Sequence, residues 1–300
     1  NHVSLVYTDL GEEALKHRRV QKPFRQGTAY IEEVAGLVKD FVKENQIPEE
    51  KILGMGLSMP VIVDRSRDMI ANSHVLGLYE VECEEWTSRM PYPCEIINDA
   101  NAAALAEALW QKERGSMVYL LLSNSVGGAI CVKLPEPEDL QEDIRERAVI
   151  DTYEGDNWRS AEFGHMTLHP GGKTCYCGKQ GCVDAYCSAS NLADLENGKL
   201  ERFFEKLEAG NVRYQEIWQR YLDDLALVVD NLRMAFDCDV ILGGYVGSFM
   251  EPYMEKLKER LVPKDIFDHD GSYARPCRYQ KEASALGAAL YQIKDYIASV

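Results

Sequence analysis

The chain reads as an α/β protein of two domains, and three observations point there. Its 300 residues, 46% of them hydrophobic, can bury a substantial core, a length that suits two domains or one with a large insertion. Runs rich in β-branched and aromatic residues alternate with stretches whose apolar residues recur at helical spacing, which predicts a largely parallel sheet. Near Ser116 the run MVYLLL opens a second set of strands, and a second unit with it.

In chain order, Val3 to Tyr7 is β-branched and aromatic, a turn lies around Asp9 to Glu12, and Ala14 to Val20 is extended, so the pair predicts a hairpin. From Thr28 to Gln46, Ile31, Val34, Leu37, Val38, Phe41 and Val42 form an apolar stripe between charged residues, the pattern of an amphipathic helix. Strands are expected over Lys51 to Val61 and Cys94 to Ile97. The segment Asn101 to Trp110, rich in Ala, Leu and Glu, is helical by propensity. In the second unit MVYLLL and AICVK read as strands around SNSVGG. The acidic, proline-punctuated stretch Pro135 to Arg147 reads as a solvated surface loop or short exposed helix. Helical segments follow from Ser190 to Phe236, then the strand VIL ending at Gly243 and Gly244, a helix from Phe249 to Leu261 and a final helix from Ala283 to Ile297.

The 49 acidic and 33 basic residues leave a formal charge of −16, whose field repels phosphate backbones. The chain is therefore not itself a nucleic-acid binder. No apolar run reaches membrane-spanning length and nothing resembles a signal peptide, while the start at Asn1 rather than Met raises the expectation of further chain upstream. Nine cysteines, odd in number and mostly scattered, argue for reduced thiols in the cytosol.

The sharpest chemical signal is residues 162 to 182, EFGHMTLHPGGKTCYCGKQGC, in which His165, Cys175, Cys177 and Cys182 have the spacing H-x9-C-x-C-x4-C. Thiolates and an imidazole at such spacing suit a tetrahedral zinc ion, and Gly171, Gly172, Gly178 and Gly181 allow the tight loop required. The plain alternative is a set of unrelated side chains with small, buried free cysteines. His169 competes with His165 for the fourth position, and spacing does not choose between them.

Four segments in order, IINDANAAALAEA at 96 to 108, EFGH at 162 to 165, CYCGKQGC at 175 to 182 and VILGG at 240 to 244, resemble the ROK family of bacterial repressors and sugar kinases. ASALGAA at 283 to 289 looks like that family's closing helix. The resemblance implies the actin-like, ribonuclease H-like ATPase fold: two α/β domains with an interdomain sugar cleft. The first would comprise residues 1–110 completed by the C-terminal helix 284–300, and the second residues 111–283 carrying the zinc loop 165–182. The family's E-x-G-H pattern implies that His165 is the zinc histidine and that the metal, with four protein ligands, is structural.

The same resemblance assigns sugar contacts to Asn98, Asp99, Glu162 and His165, the last offering one ring nitrogen to zinc and the other to a sugar hydroxyl. Asp184 stands where sugar-binding relatives place Glu, and one methylene shorter it is expected to reach sugar through water. In a kinase of the family Asp99 would be the general base; an Asp at that position is otherwise an ordinary helix N-cap.

Three departures weaken a kinase reading. The family's D-x-G-G-T phosphate loop is not matched by Asp9-Leu10-Gly11, since Glu12 and Glu13 would set carboxylates beside a triphosphate. The G-T-G-x-G-G-G loop aligns with Ser123, Asn124, Ser125, Val126, Gly127, Gly128 and Ala129, where serines replace two glycines. Val61 replaces a glycine expected to line the sugar pocket, and His74 an Asn of the substrate loop. Gly243 and Gly244 match the turn that approaches adenosine in kinases, as a generic tight turn also would.

The resulting expectation is the cytoplasmic sugar-sensing domain of a ROK-type transcriptional regulator. A hexose, an N-acetylhexosamine or its phosphate would favour a closed arrangement of the two domains. A helix-turn-helix preceding Asn1 would bind DNA, and the protein would be a homodimer or homotetramer. The competing readings are a sugar kinase using Mg-ATP and a zinc-stabilised scaffold without either activity.

Overall fold

The computed structural model describes residues 2–10, 14–110, 115–133, 150–280 and 282–299. The chain divides into two compact units: Asn1–Glu113 with Lys133–Ser160 and Glu282–Val300, and Arg114–Val132 with Ala161–Lys281.

The first unit opens with the hairpin β1 (His2–Thr8) and β2 (Ala14–Gln21), antiparallel as the sequence predicts. Helix α1 (Thr28–Glu44) buries Tyr30, Ile31, Val34, Ala35, Val38, Phe41 and Val42, the face its apolar periodicity marks. The expected strand over Lys51 to Val61 shortens to β3 (Met55–Met59) after a 3₁₀ turn at Glu49–Lys51. Next comes an antiparallel meander that the sequence reading left unassigned, β4 (Ile62–Asp64), β5 (Met69–Ser73) and β6 (Leu78–Glu82). Strand β7 (Cys94–Asn98) pairs in parallel with β3 and leads directly into helix α2 (Asp99–Trp110). Among the described residues this unit shows three small sheets, one of them parallel, where the sequence predicts a largely parallel sheet.

The second unit begins with β8 (Met117–Leu122) and β9 (Val126–Lys133), an antiparallel pair around the SNS turn. Strand β10 (Ile150–Thr152) falls in the first unit, and the acidic stretch Pro135 to Arg147 lies outside the described residues. Single helical turns at Asp184–Cys187 and Ala189–Ala193 precede α3 (Leu200–Glu208) and the 25-residue α4 (Val212–Phe236). Strand β11 (Asp239–Gly243) runs parallel to β8, α5 (Met254–Leu261) follows, and β12 (Ala274–Pro276) adds to β11 in parallel, giving the order β9–β8–β11–β12 within this unit. Strand β8 is buried along its whole length, as a central strand covered on both faces must be. Trp218 of α4, 1% exposed, stacks on Tyr221 of the same helix at 5.0 Å and packs edge-on against Phe204 at 5.2 Å, joining α4 to α3.

Helix α6 (Ala283–Ser299) belongs to the first unit, where its small residues lie against α2 and β3. A Cβ on Gly287 would stand 1.6 Å from the Ala102 carbonyl oxygen, and one on Gly56 would stand 2.2 Å from that of Ala288. Backbone contacts this close explain why both segments are built from Ala and Gly.

Candidate functional site

In the first unit, Asn98 and Asp99 stand at the carboxyl end of β7, with Asn98 registered against Met59 of β3. That edge of parallel strands is where open α/β sheets present polar groups to ligands. The capping role considered for Asp99 falls on Asn98 instead: its Oδ1 accepts the N–H groups of Ala100 and Asn101 at 2.9 and 3.0 Å. Its Nδ2 donates to the Val61 carbonyl at 2.9 Å. The Val61 side chain is 2% exposed and belongs to the core, so it fills the interior rather than narrowing a pocket. His74 lies within 3.1 Å of Asn72 Nδ2 and 3.3 Å of the Tyr79 hydroxyl.

With capping assigned to its neighbour, Asp99 is the first residue of α2 and is partly buried. Desolvation pushes its carboxyl up to about 6, against the pull of the Ala100 and Asp99 N–H groups. An unfolded Asp titrates near 4. The folded chain therefore binds more protons than the unfolded one between pH 4 and 6, and stability falls as pH rises through that window. Asp99→Asn is expected to raise the unfolding free energy at pH 7 by on the order of 1 kcal/mol and to lose most of that gain by pH 4. Urea unfolding at the two pH values measures this, and equal effects at both would remove the inference that the carboxylate is strained by burial.

In the second unit, His165, Cys175, Cys177 and Cys182 converge, each ligand atom within 4.8 Å of all the others. Cys177 and Cys182 Sγ are 3.8 Å apart, and Cys175 Sγ is 3.8 Å from His165 Nδ1. Metal–sulfur bonds of about 2.3 Å in a tetrahedron give sulfur–sulfur edges of about 3.8 Å, so the donor set fits a closed four-coordinate metal site. Two isolated bridges, Thr167 with Cys182 and Thr174 with Gln180, fold the loop, with Gly171, Gly178 and Gly181 at positive φ in its turns. The structure separates the rival histidines: His169 lies outside the cluster, its Nε2 2.6 Å from Asp224 Oδ1 on α4. His165 Nε2 lies 3.5 Å from the Tyr176 hydroxyl. Glu162, which precedes the Phe163–His165 turn, is exposed.

Asp184 departs from its expected place. It is 5% exposed and its Oδ2 accepts the Val126 N–H at 2.6 Å, a partner 58 residues away. Burial pushes this carboxyl up to about 6, while the Val126 amide and the Tyr176 hydroxyl pull it down. Its carboxylate is committed inside its own unit rather than turned to solvent.

The residues aligned with nucleotide loops also come together. Leu121 and Gly243 are registered neighbours near the carboxyl ends of the parallel strands β8 and β11, and the space a Cβ on Gly244 would take lies 2.7 Å from Ser123 Oγ. Their glycines nevertheless have local reasons. A Cβ on Gly128 would meet the Phe163 ring at 2.1 Å, one on Gly243 the Tyr119 hydroxyl at 1.9 Å, and Gly244 needs its φ of +79°. The Ser123–Val126 turn is closed on itself: Ser123 N–H donates to Ser125 O at 3.2 Å, and Ser123 O and Asn124 O accept from Ala189 N–H and Ser190 Oγ at 2.7 and 2.6 Å.

The two α/β units have the actin-like, ribonuclease H-like ATPase fold, which solved ROK structures share over nearly the whole chain. The chain belongs to the ROK family, whose sequence model matches residues 1–134 and 150–294. It is 26% identical over 323 aligned positions to a Caldicellulosiruptor protein named "Putative xylose repressor", covering 99% of this chain and 77% of that protein. It is 30% identical over 210 residues to the N-acetylmannosamine kinase of Escherichia coli K12, covering 66% of this chain and 64% of the kinase. Among solved structures it resembles a ROK glucokinase from Streptomyces griseus in complex with glucose and AMPPNP (TM-score 0.75, 18% identity, 96% and 95% coverage). It also resembles a ROK transcriptional regulator homologous to the Escherichia coli MLC protein (TM-score 0.74, 17% identity, 99% and 76% coverage). The family thus contains both repressors and sugar kinases. No helix among the described residues is long and apolar enough to cross a membrane.

Proposed function

We propose that this chain is the sugar-binding, effector-sensing part of a ROK-type transcriptional regulator, with structural zinc in the His165, Cys175, Cys177 and Cys182 cluster. DNA binding is assigned to a separate helix-turn-helix, and the working state to a homo-oligomer. The observation that carries the regulator reading is that the first and last amides of the Ser123–Val126 turn are already bonded. A triphosphate is cradled by free backbone amides, yet Ser123 N–H is bonded to Ser125 O and Val126 N–H to the buried Asp184 carboxylate, itself a negative group. Serine side chains stand where glycines would let phosphate approach.

The ligand in this reading is a hexose or N-acetylhexosamine, or its phosphate. Within the first unit the proposed contacts are Asp99 as an acceptor and Asn98 through its second Nδ2 hydrogen; within the second unit they are Glu162 as an acceptor and His165. A sugar acts as effector only by binding one conformation more tightly than another, since equal affinity shifts no population.

One observation favours the competing reading of an ATP-dependent sugar kinase: a carboxyl pushed up to about 6 at Asp99 is poised for a general base. Thermal unfolding with a panel of hexoses, N-acetylhexosamines and their phosphates, run beside a coupled Mg-ATP assay, separates the two. At about 100 times Kd a sugar adds about 2.7 kcal/mol, a shift of a few degrees, and Glu162→Ala is expected to abolish it. ATP turnover that disappears in Asp99→Ala would establish the kinase, and a panel that leaves the melting temperature unmoved would remove the sensor.

A further inference from the structure

The segments that carry the metal ligands also grip the β8–β9 turn from two sides, all within the second unit. On one side the Phe163–His165 turn presses so closely that a Cβ on Gly164 would stand 2.1 Å from the Val126 carbonyl oxygen, and His165 is the next residue. On the other, two residues after Cys182, Asp184 Oδ2 accepts the Val126 N–H at 2.6 Å. Farther along this second segment, Ala189 N–H and Ser190 Oγ hold the Ser123 and Asn124 carbonyls. The gripping segments are themselves laced together, Val183 N–H donating to Met166 O at 2.9 Å and Leu168 N–H to Gly181 O at 2.7 Å. Tyr176, between two of the cysteine ligands, hydrogen-bonds the Asp184 carboxylate.

We propose that Asp184 is a positioning residue that ties occupancy of the metal cluster to the conformation of the Ser123–Val126 turn and, through Val126, to the turn bearing Glu162. The proposal rests on the metal reading given above. A metal that joins His165 to Cys182 sets the spacing of the two segments between which Val126 is held. Asp184 transmits that spacing because its carboxylate is buried and its short side chain brings the oxygen directly to a main-chain amide. Asn at this position keeps an acceptor of the same length. Ala leaves the Val126 N–H buried without one, the costlier outcome.

Hydrogen exchange of the full chain, read by mass spectrometry over peptides spanning residues 117–133 and 160–182, tests this together with metal content. In metal-replete protein, Asp184→Ala is expected to speed exchange at residues 123–128 about tenfold or more, and Asp184→Asn to restore most of the protection. Chelating the wild type should accelerate the same residues, and chelating Asp184→Ala should add little there, because one link has already been cut. Metal-replete Asp184→Ala with wild-type protection at 123–128 overturns the proposal while leaving the metal reading intact; wild-type protein that binds no metal overturns both. If Asp184→Ala does not fold, the chelated wild type decides: acceleration at 172–182 without acceleration at 123–128 overturns the proposal.

Discussion

Cys182→Ser is expected to yield a chain without bound metal, where the wild type carries about one ion, and to lower the unfolding free energy by about 3 kcal/mol or more. Cys182 is 0% exposed, its Sγ is 3.8 Å from that of Cys177, and its backbone bridges Thr167, so the residue joins the two halves of the loop. Serine at this position supplies a poor zinc ligand and buries a hydroxyl where a sulfur stood. Without the ion, three other ligands face one another with nothing to bind. Cys238→Ser is the control, since that cysteine lies outside the cluster and should keep the metal. Elemental analysis and urea unfolding read both effects; a Cys182→Ser protein that retains a full equivalent of metal would refute the assignment. The stability loss should centre on the second unit, which contains the whole loop.

Gly287→Ala is expected to be the most damaging single-methyl addition in the first unit, costing about 3 kcal/mol or more. The new Cβ would fall 1.6 Å from Ala102 O and 2.3 Å from its carbonyl carbon, both main-chain atoms that move only if α2 and α6 separate. That separation would also disturb Ala288, whose carbonyl lies against Gly56 of β3. Gly36→Ala provides the opposite case: it lies within α1 with nothing inside 4 Å of the added Cβ. There the change should stabilise by about 0.5–1 kcal/mol, through the lower entropy of alanine in the unfolded chain. Chemical unfolding of the two variants reads both signs. A Gly287→Ala protein as stable as the wild type would remove the close helix crossing from the account of this unit.

Much of the architecture was legible where the determining contacts are local. The hairpin β1–β2 follows from a β-branched and aromatic run and the turn after it, helix α1 from 3.6-residue periodicity, and the metal ligands occupy an 18-residue stretch. The meander β4–β6 was not legible, because its strands are three to five residues long and give too few alternations to distinguish from loop. The parallel pairing of β11 with β8 joins segments more than a hundred residues apart, a distance over which periodicity carries no information.

The candidate site divides along the same line. By itself the sequence determined that a His-Cys₃ set exists, that Asn98 and Asp99 follow a strand, and that serines replace glycines in the turn after β8. Spacing left the members of each local pair open; the family resemblance implied His165, and the tertiary structure showed which task each side chain takes. Asn98 caps α2 because its side chain reaches Ala100, Asn101 and the distant Val61 carbonyl together, which leaves Asp99 to be desolvated. His165 rather than His169 faces the thiols because Asp224, 55 residues further on, holds His169 away. Asp184, which the resemblance placed as a sugar contact through water, is instead buried with its carboxylate accepting the Val126 N–H. A buried polar group left without a hydrogen bond costs about 1–3 kcal/mol, as much as most local preferences, so at Asn98 and Asp184 the fold chooses the partner and the local sequence supplies the candidates.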